Sequence, residues 1–307
     1  MRKLLVLLLG SSLLFNACDR VKNPIPIDSA NYDVSLFPGN YATEYNYPSF
    51  GTNSNTNVNV LIEDYTGHQC GNCPVAAIVA KNIEAANPGR VFAISEHAGA
   101  GGVSQYQLRY QPGTPEYPKY SRDFTNEAGL TYATSIVGIP GNPYGMVNRR
   151  RPTGASNQWL PNGQWQQNVQ NILQENNLRA NLQMAVNYYP QTDALFVHVE
   201  SEAKTNLSGN YNLVVYAVAK EVIDWQKNYM VFPSDVEFYD HHNVHFGNIN
   251  GIWGEPVFVA EATNGTKVRK DYTYKIRETF RGLDYAVIAY IMNADTYEIL
   301  QVIMVEP

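Results

Sequence analysis

Two cysteines separated by two residues, in Cys70-Gly71-Asn72-Cys73-Pro74, are the first group in the chain whose types and spacing suit chemistry. Where a helix begins, the partial positive charge of its N-terminus stabilises a thiolate at the first cysteine. The second cysteine, one turn further in, is placed to resolve a mixed disulfide. The same spacing also closes a permanent bridge, so exchange and stapling both stay open. Zinc would need a second ligand pair at matching spacing, and the third cysteine, Cys18, does not supply one. His68, just ahead of Cys70, either tunes a thiolate or occupies a turn. A second dense group is Tyr239-Asp240-His241-His242-Asn243-Val244-His245. Neutral imidazoles suit zinc, nickel or copper. On a strand His241 and His245 share a face while His242 points away, so these two are the metal candidates and a structural role is the default. Arg149-Arg150-Arg151 reads as a solvated run with an anion contact as the alternative. No nucleotide loop, hydrolase elbow or HExxH motif occurs, and no cofactor is expected.

Periodicity supplies the elements that must hold these groups. Residues 58–65 read as a buried strand and 66–69 as a turn; Val75, Ile78, Val79, Ile83 and Ala86 then recur at helical spacing. Pro74 falls in the first helical turn, where its missing N–H costs nothing. Residues 90–95 form a second strand. An insertion over about 98–125, rich in Gly, Gln, Tyr and Pro, suits a specificity loop or a cover for the disulfide. A helix over 164–175, with Trp165, Val169, Ile172 and Leu173 on one face, closes this unit. From 179 the period turns to alternation. Strands are expected at 195–200, 213–219, 257–260, 271–276, 285–292 and 299–305, separated by turns such as Ser208-Gly209-Asn210 and Asn264-Gly265. Short strands at this density predict an antiparallel β-sandwich of the immunoglobulin or fibronectin type III kind.

Arg2 and Lys3 precede an apolar run that is too short to span a roughly 30 Å hydrocarbon core. The pattern is a secretory signal over 1–17. Its end, Ala17-Cys18, resembles a bacterial lipoprotein signal, which implies lipidation of Cys18. Residues 18–56, with four prolines and many Asn, Ser and Tyr, are expected to form a flexible tether. The 44% hydrophobic content excludes a disordered chain. Charged residues are scarce, at 16% against roughly 25% in an average domain, and 32 Asn and 22 Tyr supply the polarity instead. A net charge of −6 without a basic block leaves no footprint for nucleic acid.

The order strand, CxxC, helix, strand resembles the thioredoxin superfamily. That resemblance implies a buried acid at Asp64, six residues before Cys70, assisting the second cysteine. It also implies a cis-proline against the disulfide, with Pro143 favoured and Pro140 second. Gln69 stands where thioredoxins usually carry Trp. Over most of the chain the sequence is similar to the 28-kDa outer membrane protein family of Bacteroidetes. The similarity rests on residues 63–74 (Glu-Asp-Tyr-Thr-Gly-His-Gln-Cys-Gly-Asn-Cys-Pro), on Pro143-Tyr144-Gly145-Met146-Val147-Asn148-Arg149, and on the His-rich segment running to Gly251-Ile252-Trp253-Gly254-Glu255. It implies an outer-membrane location and a thioredoxin-like domain joined to a β-sandwich, and no particular activity.

The expected organisation is a signal (1–17), a lipidated Cys18 with tether (18–56), a thioredoxin-like domain (57–178) and a β-sandwich (179–307). Two functions fit it. One is a surface binding or adhesion lipoprotein, held to the membrane through Cys18 and meeting a protein or glycan, with Cys70–Cys73 stapling a loop. The other is a membrane-anchored thiol–disulfide oxidoreductase, in which Cys70 attacks, Cys73 resolves, Asp64 is the base and Pro143 orients the substrate.

Overall fold

The computed structural model describes residues 31–136 and 138–307, so the signal and Cys18 lie outside the described residues. In chain order the elements are α1 (Tyr41–Glu44), β1 (Val60–Thr66), α2 (Cys73–Ala86), β2 (Val91–His97), α3 (Glu127–Ser135), β3 (Tyr144–Val147) and α4 (Trp165–Glu175). The strands β4 (Ala180–Tyr189), β5 (Ala194–Ala203), β6 (Leu207–Ser208), β7 (Tyr211–Lys227) and β8 (Asp235–Asn248) follow. The chain ends with β9 (Glu255–Phe258), β10 (Glu261–Ala262), β11 (Lys267–Lys275), β12 (Tyr285–Asn293) and β13 (Ile299–Val305). The fold is mixed α/β and dominated by strands. Among the described residues no helix is long and apolar enough to cross a membrane.

β1 is buried on both faces. Val60 and Ile62 meet Ala76, Ala80 and Ile83 of α2 and Trp165 and Val169 of α4. Of the residues whose spacing marked this helix, Ile83 is buried and Val79 partly so, whereas Val75, Ile78 and Ala86 are exposed; the inward face is Ala76, Ala80 and Ile83, turned from the one the apolar positions indicated. α3 starts at Asn126, whose side-chain oxygen accepts from the Gly129 N–H at 2.8 Å; its mixed Ala, Gly and Thr sequence carries no strong periodic signal. The principal sheet has the order β13-β12-β7-β8-β2-β1-β3, with β9 alongside β7. A second sheet, β11-β5-β4, lies face to face with it. Leu195, Val197 and Val199 of β5 share a core with Leu213, Val215 and Ala217 of β7 and with Val287 and Ala289 of β12.

The principal sheet does not stop at the boundary expected at 178/179. β8 joins β2 in parallel at Ser95 and Val244. The Ser95 hydroxyl donates to the His242 carbonyl at 2.8 Å, and the Asn243 amide donates to the Ala93 carbonyl at 2.9 Å. Side chains make this seam, and strand periodicity carries no sign of them. The sheet also curls until its ends meet. The Ile299 N–H donates to the Asn148 carbonyl at 2.9 Å. The Asn59 N–H donates to Gln301 Oε1 at 2.8 Å and its amide to the Val302 carbonyl at 2.9 Å.

The curl encloses Leu61, Phe92, Ile94, Val218, Ile288 and Val302, together with an ion pair. Arg149 donates to both oxygens of Glu63, at 2.8 and 2.6 Å, with both side chains almost wholly buried. The guanidinium lies 4.2 Å from the Tyr132 ring centre and 5.3 Å from that of Tyr290, and Nη1 reaches Met292 Sδ at 3.3 Å. Of the run 149–151, then, the first member is a core residue; the solvated-loop expectation fails there because Asn148 and Arg149, both at positive φ (46° and 48°), turn the side chain inward.

Residues 31–56 do not behave as a free tether. Tyr32, Phe37, Tyr41 and Tyr45 pack on Phe196 of β5. The Tyr45 hydroxyl shares a hydrogen bond with His198 Nε2, His198 Nδ1 with Asp271, and the Tyr47 hydroxyl donates to Asp271 at 2.6 Å. Arg269 sits over the rings of Tyr47 and Phe50, and Asn53 and Asn55 bond to Leu182 and Asn181 of β4. The tyrosines that made this stretch look polar and irregular are its anchoring residues, because a ring buried by its body and bonded by its hydroxyl suits a strap.

Removing Arg149 while leaving Glu63 buried is expected to cost about 3–5 kcal/mol. Arg149→Met should lower the urea midpoint accordingly, and Glu63→Gln added to it should restore part of the loss. The strap has a pH signature. Burial opposes the Asp271 charge, but the hydrogen bonds from His198 and Tyr47 outweigh it and hold the carboxyl below its usual range. The stability it contributes is present above the unfolded value near 3.9 and lost as pH falls through the folded value. Hydrogen exchange across residues 41–47 should accelerate in that acid window, and Asp271→Asn should reproduce the acceleration at neutral pH.

Candidate functional site

The CxxC turn is built as its residue types require. Cys70 and Cys73 are joined by a disulfide, with Cα atoms 5.4 Å apart. α2 begins at Cys73 with Pro74 in its first turn. Both cysteines are nonetheless shut away, at 2% and 1% exposure. Two segments cover them.

The first cover is the tip of the β7–β8 hairpin, reaching over from the C-terminal half. The Gln226 amide donates to the Cys70 carbonyl at 3.0 Å, the Lys227 N–H to the His68 carbonyl at 2.7 Å, and the Tyr229 N–H to the Gly71 carbonyl at 2.9 Å. The Tyr229 ring lies so close that a Cβ on Gly71 would stand 2.5 Å from it. A side chain at position 71 would have to displace that ring. The second cover is the insertion of 98–125. The Gln69 N–H donates to the Tyr106 carbonyl at 3.0 Å, and the Gln69 amide and His68 Nε2 both meet the Leu108 carbonyl. The Gln107 amide donates to the Thr66 carbonyl at 2.7 Å and contacts Asn142 Oδ1 at 3.5 Å. The insertion thus lies between the CxxC turn and the turn that carries Pro143. His68 is held by these contacts and by the rings of Tyr120 and Phe124, and burial lowers its pKa.

Asp64 is fully buried under this site, and burial pushes its carboxyl up to about 8. Its Oδ1 has no hydrogen-bond partner. The Asn142–Pro143 bond is cis and the Ile139–Pro140 bond is not. Asn142 ties that turn down by donating to the Tyr65 and Ala98 carbonyls, each at 2.8 Å, just before β3 pairs with β1.

Beside Cys73 opens a cleft of about 220 Å³, lined by Pro74, Ile78, His97, Gln226, Tyr239 and His241 among others. His97 stacks on Phe124 with ring centres 4.6 Å apart, and lies 5.5 Å from His241. Burial depresses both imidazoles, His97 well below its ordinary value and His241 to about 4. They are neutral at physiological pH. Among the described residues, however, no three His, Cys, Asp or Glu side chains converge as a metal site. The expectation that His241 and His245 share a face is overturned. Asn243 adopts φ of 46° between them and resets the alternation. His241 faces Phe124, whereas His245 points into the curled sheet and pairs with Glu96 at 2.7 Å. His242 turns to Glu84 at 3.0 Å. The histidine run therefore serves three separate environments.

Sequence reasoning missed Gln226 and Tyr229, the residues that close the site. The apolar run Tyr229-Met230-Val231-Phe232-Pro233 between two alternating segments was the available sign of a hairpin tip with a task of its own.

The comparisons with known proteins bear on this geometry. The family model described as "Outer membrane protein Omp28" matches residues 131–307, which include β3, the β8 side of the sheet seam and the hairpin. The chain belongs to the Omp28 family. Its location is the outer membrane. Among solved structures, HBP35 of Porphyromonas gingivalis is similar at 17% identity and a TM-score of 0.55, over 81% of this chain and 75% of that one, a likeness of fold. A domain of the outer membrane lipoprotein Omp28 from the same organism matches at 20% identity and a TM-score of 0.28, over 42% of this chain and 88% of that one. Protein AGR_C_4864 from Agrobacterium tumefaciens matches at 11% identity and a TM-score of 0.47, over 81% and 94%. No curated protein matches the chain.

A buried carboxyl held near 8 disfavours the folded state as pH rises, since folding then keeps a proton that the unfolded chain would release. Wild-type stability should fall between about pH 4 and 8 by up to about 1.4 kcal/mol per pH unit. Asp64→Asn removes this titration, so its urea midpoint relative to wild type should be more favourable at pH 8 than at pH 5. Equal differences at the two pH values would show that Asp64 does not carry the raised value.

Proposed function

We propose that the chain is an outer-membrane lipoprotein, anchored through Cys18, that acts as a binding or adhesion protein with Cys70–Cys73 clamping the joint between its two halves. The observation that carries this reading is the burial of both cysteines, at 2% and 1% exposure, in a turn whose neighbouring groups are bonded by the hairpin tip and by the 98–125 insertion. A nucleophilic thiolate must meet an incoming disulfide at its own sulfur, and reactive cysteines sit in partly exposed surroundings. At 2% exposure Cys70 offers no such approach. In this reading residues 57–178 form a thioredoxin-like scaffold, and the face-to-face sheets of 179–307 form a sandwich of the immunoglobulin or fibronectin type III kind grafted onto it. The Asn- and Tyr-rich surface supplies adaptable polar contacts for a protein or glycan ligand.

The second reading, a thiol–disulfide oxidoreductase, draws on Asp64 with its pKa near 8 and on the cis bond before Pro143. It requires the hairpin tip to lift before Cys70 can attack.

Reduction potential and thiol trapping separate the two. A clamp should have a potential below about −300 mV, and in the reduced chain Cys70 should react with a maleimide at least tenfold faster in Tyr229→Ala than in wild type. A Cys70 pKa near 7, with mixed disulfides accumulating in Cys73→Ser, would establish exchange instead.

A further inference from the structure

The hairpin tip that covers the disulfide has an outer side. Tyr229, Met230, Val231 and Phe232 are 66%, 50%, 48% and 100% exposed, four consecutive apolar or aromatic residues at the end of a two-stranded ribbon. We propose that this tip inserts into the lipid surface to which the chain is anchored, and so fixes the body's orientation on the membrane. The proposal rests on the outer-membrane location and on Cys18 as the anchor.

Three observations favour lipid over a protein partner. The first is shape: the four side chains stand out from a loop between two strands, with Phe232 fully exposed. A groove asks for a complementary segment, whereas a convex apolar point asks for a medium that closes around it.

The second is the state of the backbone. An unpaired N–H is costly in a bilayer. The Tyr229 N–H is given to the Gly71 carbonyl, the Met230 N–H to Asn228 Oδ1 at 2.9 Å, and Pro233 has none. The Asn228 N–H closes the loop on the Ser234 carbonyl at 2.7 Å. What stays open, at Val231 and Phe232, suits the headgroup boundary. At the base, one carboxylate, Asp235, is shared by Lys119 and Lys227 at 3.3 and 3.0 Å, which places two ammonium groups where anionic headgroups lie.

The third is reach. Because the strap is docked from residue 31 onward, the leash from Cys18 to Asn31 has 13 steps, at most about 45 Å. That is less than the width of a body of this size, roughly 50 Å. With Cys18 as the anchor, the docked strap therefore keeps Asn31 within one body width of the bilayer.

The test uses the full chain carrying Cys18→Ala, so that no acyl chain contributes, floated with vesicles of phosphatidylethanolamine and phosphatidylglycerol at 3:1. The expected result is co-flotation, reduced at least tenfold by Met230→Asp with Phe232→Asp. These sites are half to fully exposed, so an unchanged circular dichroism spectrum will show that the fold survives. As a second measurement, Phe232→Trp should gain a component of fluorescence quenched by lipids brominated high on the acyl chain. Failure of the Cys18→Ala chain to float, or equal flotation of the double Asp variant, overturns the proposal. So does sedimentation showing a dimer that the double variant dissolves, because a second copy would then occupy the tip. Loss of membrane retention in cells on Cys18→Ala tests the anchor separately, and its outcome leaves the flotation result standing.

Discussion

The curled sheet depends on one buried pair, Arg149 with Glu63. Glu63 belongs to β1, Arg149 follows β3, Tyr132 stands on α3, and Tyr290 and Met292 lie on β12. The guanidinium touches β1, α3 and β12, and both halves of the chain contribute to its cage. A charge removed from water on every side persists only when it is paired and its donors are used. Here two donors go to one carboxylate in the parallel fork that arginine's planar group is built for, and the aromatic faces take much of the rest. Lysine could not replace it. Adopting two consecutive left-handed residues, Asn148 and Arg149, has a steric cost, and the same turn brings the Asn148 carbonyl to Ile299 and its side chain to the Leu61 N–H. The turn that buries the charge is also the turn that closes the curl.

Closure explains why the end of the scaffold that carries the CxxC turn serves as a joint. Once β13 is held against β1 and β8 against β2, the long ribbon of β7 and β8 extends past Glu96 and His97 and delivers its tip to Gly71. The tip then satisfies three carbonyls of the turn, those of His68, Cys70 and Gly71. In a free-standing scaffold those carbonyls would face solvent or an incoming chain. Occupied by their own polypeptide, they make the disulfide part of an internal interface. The 98–125 insertion does the same from the other side, in keeping with one of the two roles its composition suggested.

Much of the local structure was legible because it follows from periodicity within a few turns. The strand before Cys70, the helix after it, the helix ending at Glu175 and the strands β5, β9, β11, β12 and β13 appear within a few residues of their expected limits, whereas β7 runs on to Lys227, well past 219, and β4 and β8 had no expected counterpart. The cis bond falls at Pro143, directly before β3. What stayed hidden depends on residues far apart in sequence. Nothing near Ser95 announces Val244, and nothing near Tyr45 announces His198. The strap was misjudged for a physical reason: prolines, asparagines and tyrosines without a period describe a flexible segment and a segment docked by its side chains equally well. At the histidine run a single residue, Asn243, shifted the pattern, because asparagine tolerates the left-handed conformation that one-residue resets require.

The asparagines also give the low charge a structural meaning. An amide both donates and accepts, so it can satisfy backbone groups wherever strands part company, without the desolvation that a charge would incur. Asn59 bridges the curl's closing edge, Asn142 the Pro143 turn, Asn243 the seam between β2 and β8, and Asn250 the splay between β7 and the segment after β8. Each is a place where a regular ladder ends while the chain stays buried. A composition that first suggests an adaptable outer surface is therefore spent in part on internal joints. Where the protein leaves apolar residues uncovered together, at the hairpin tip, it has already bonded two of their four backbone donors, those of Tyr229 and Met230. Such a tip is suited to an environment that offers no hydrogen bonds in return, and at the outer membrane that environment is the bilayer.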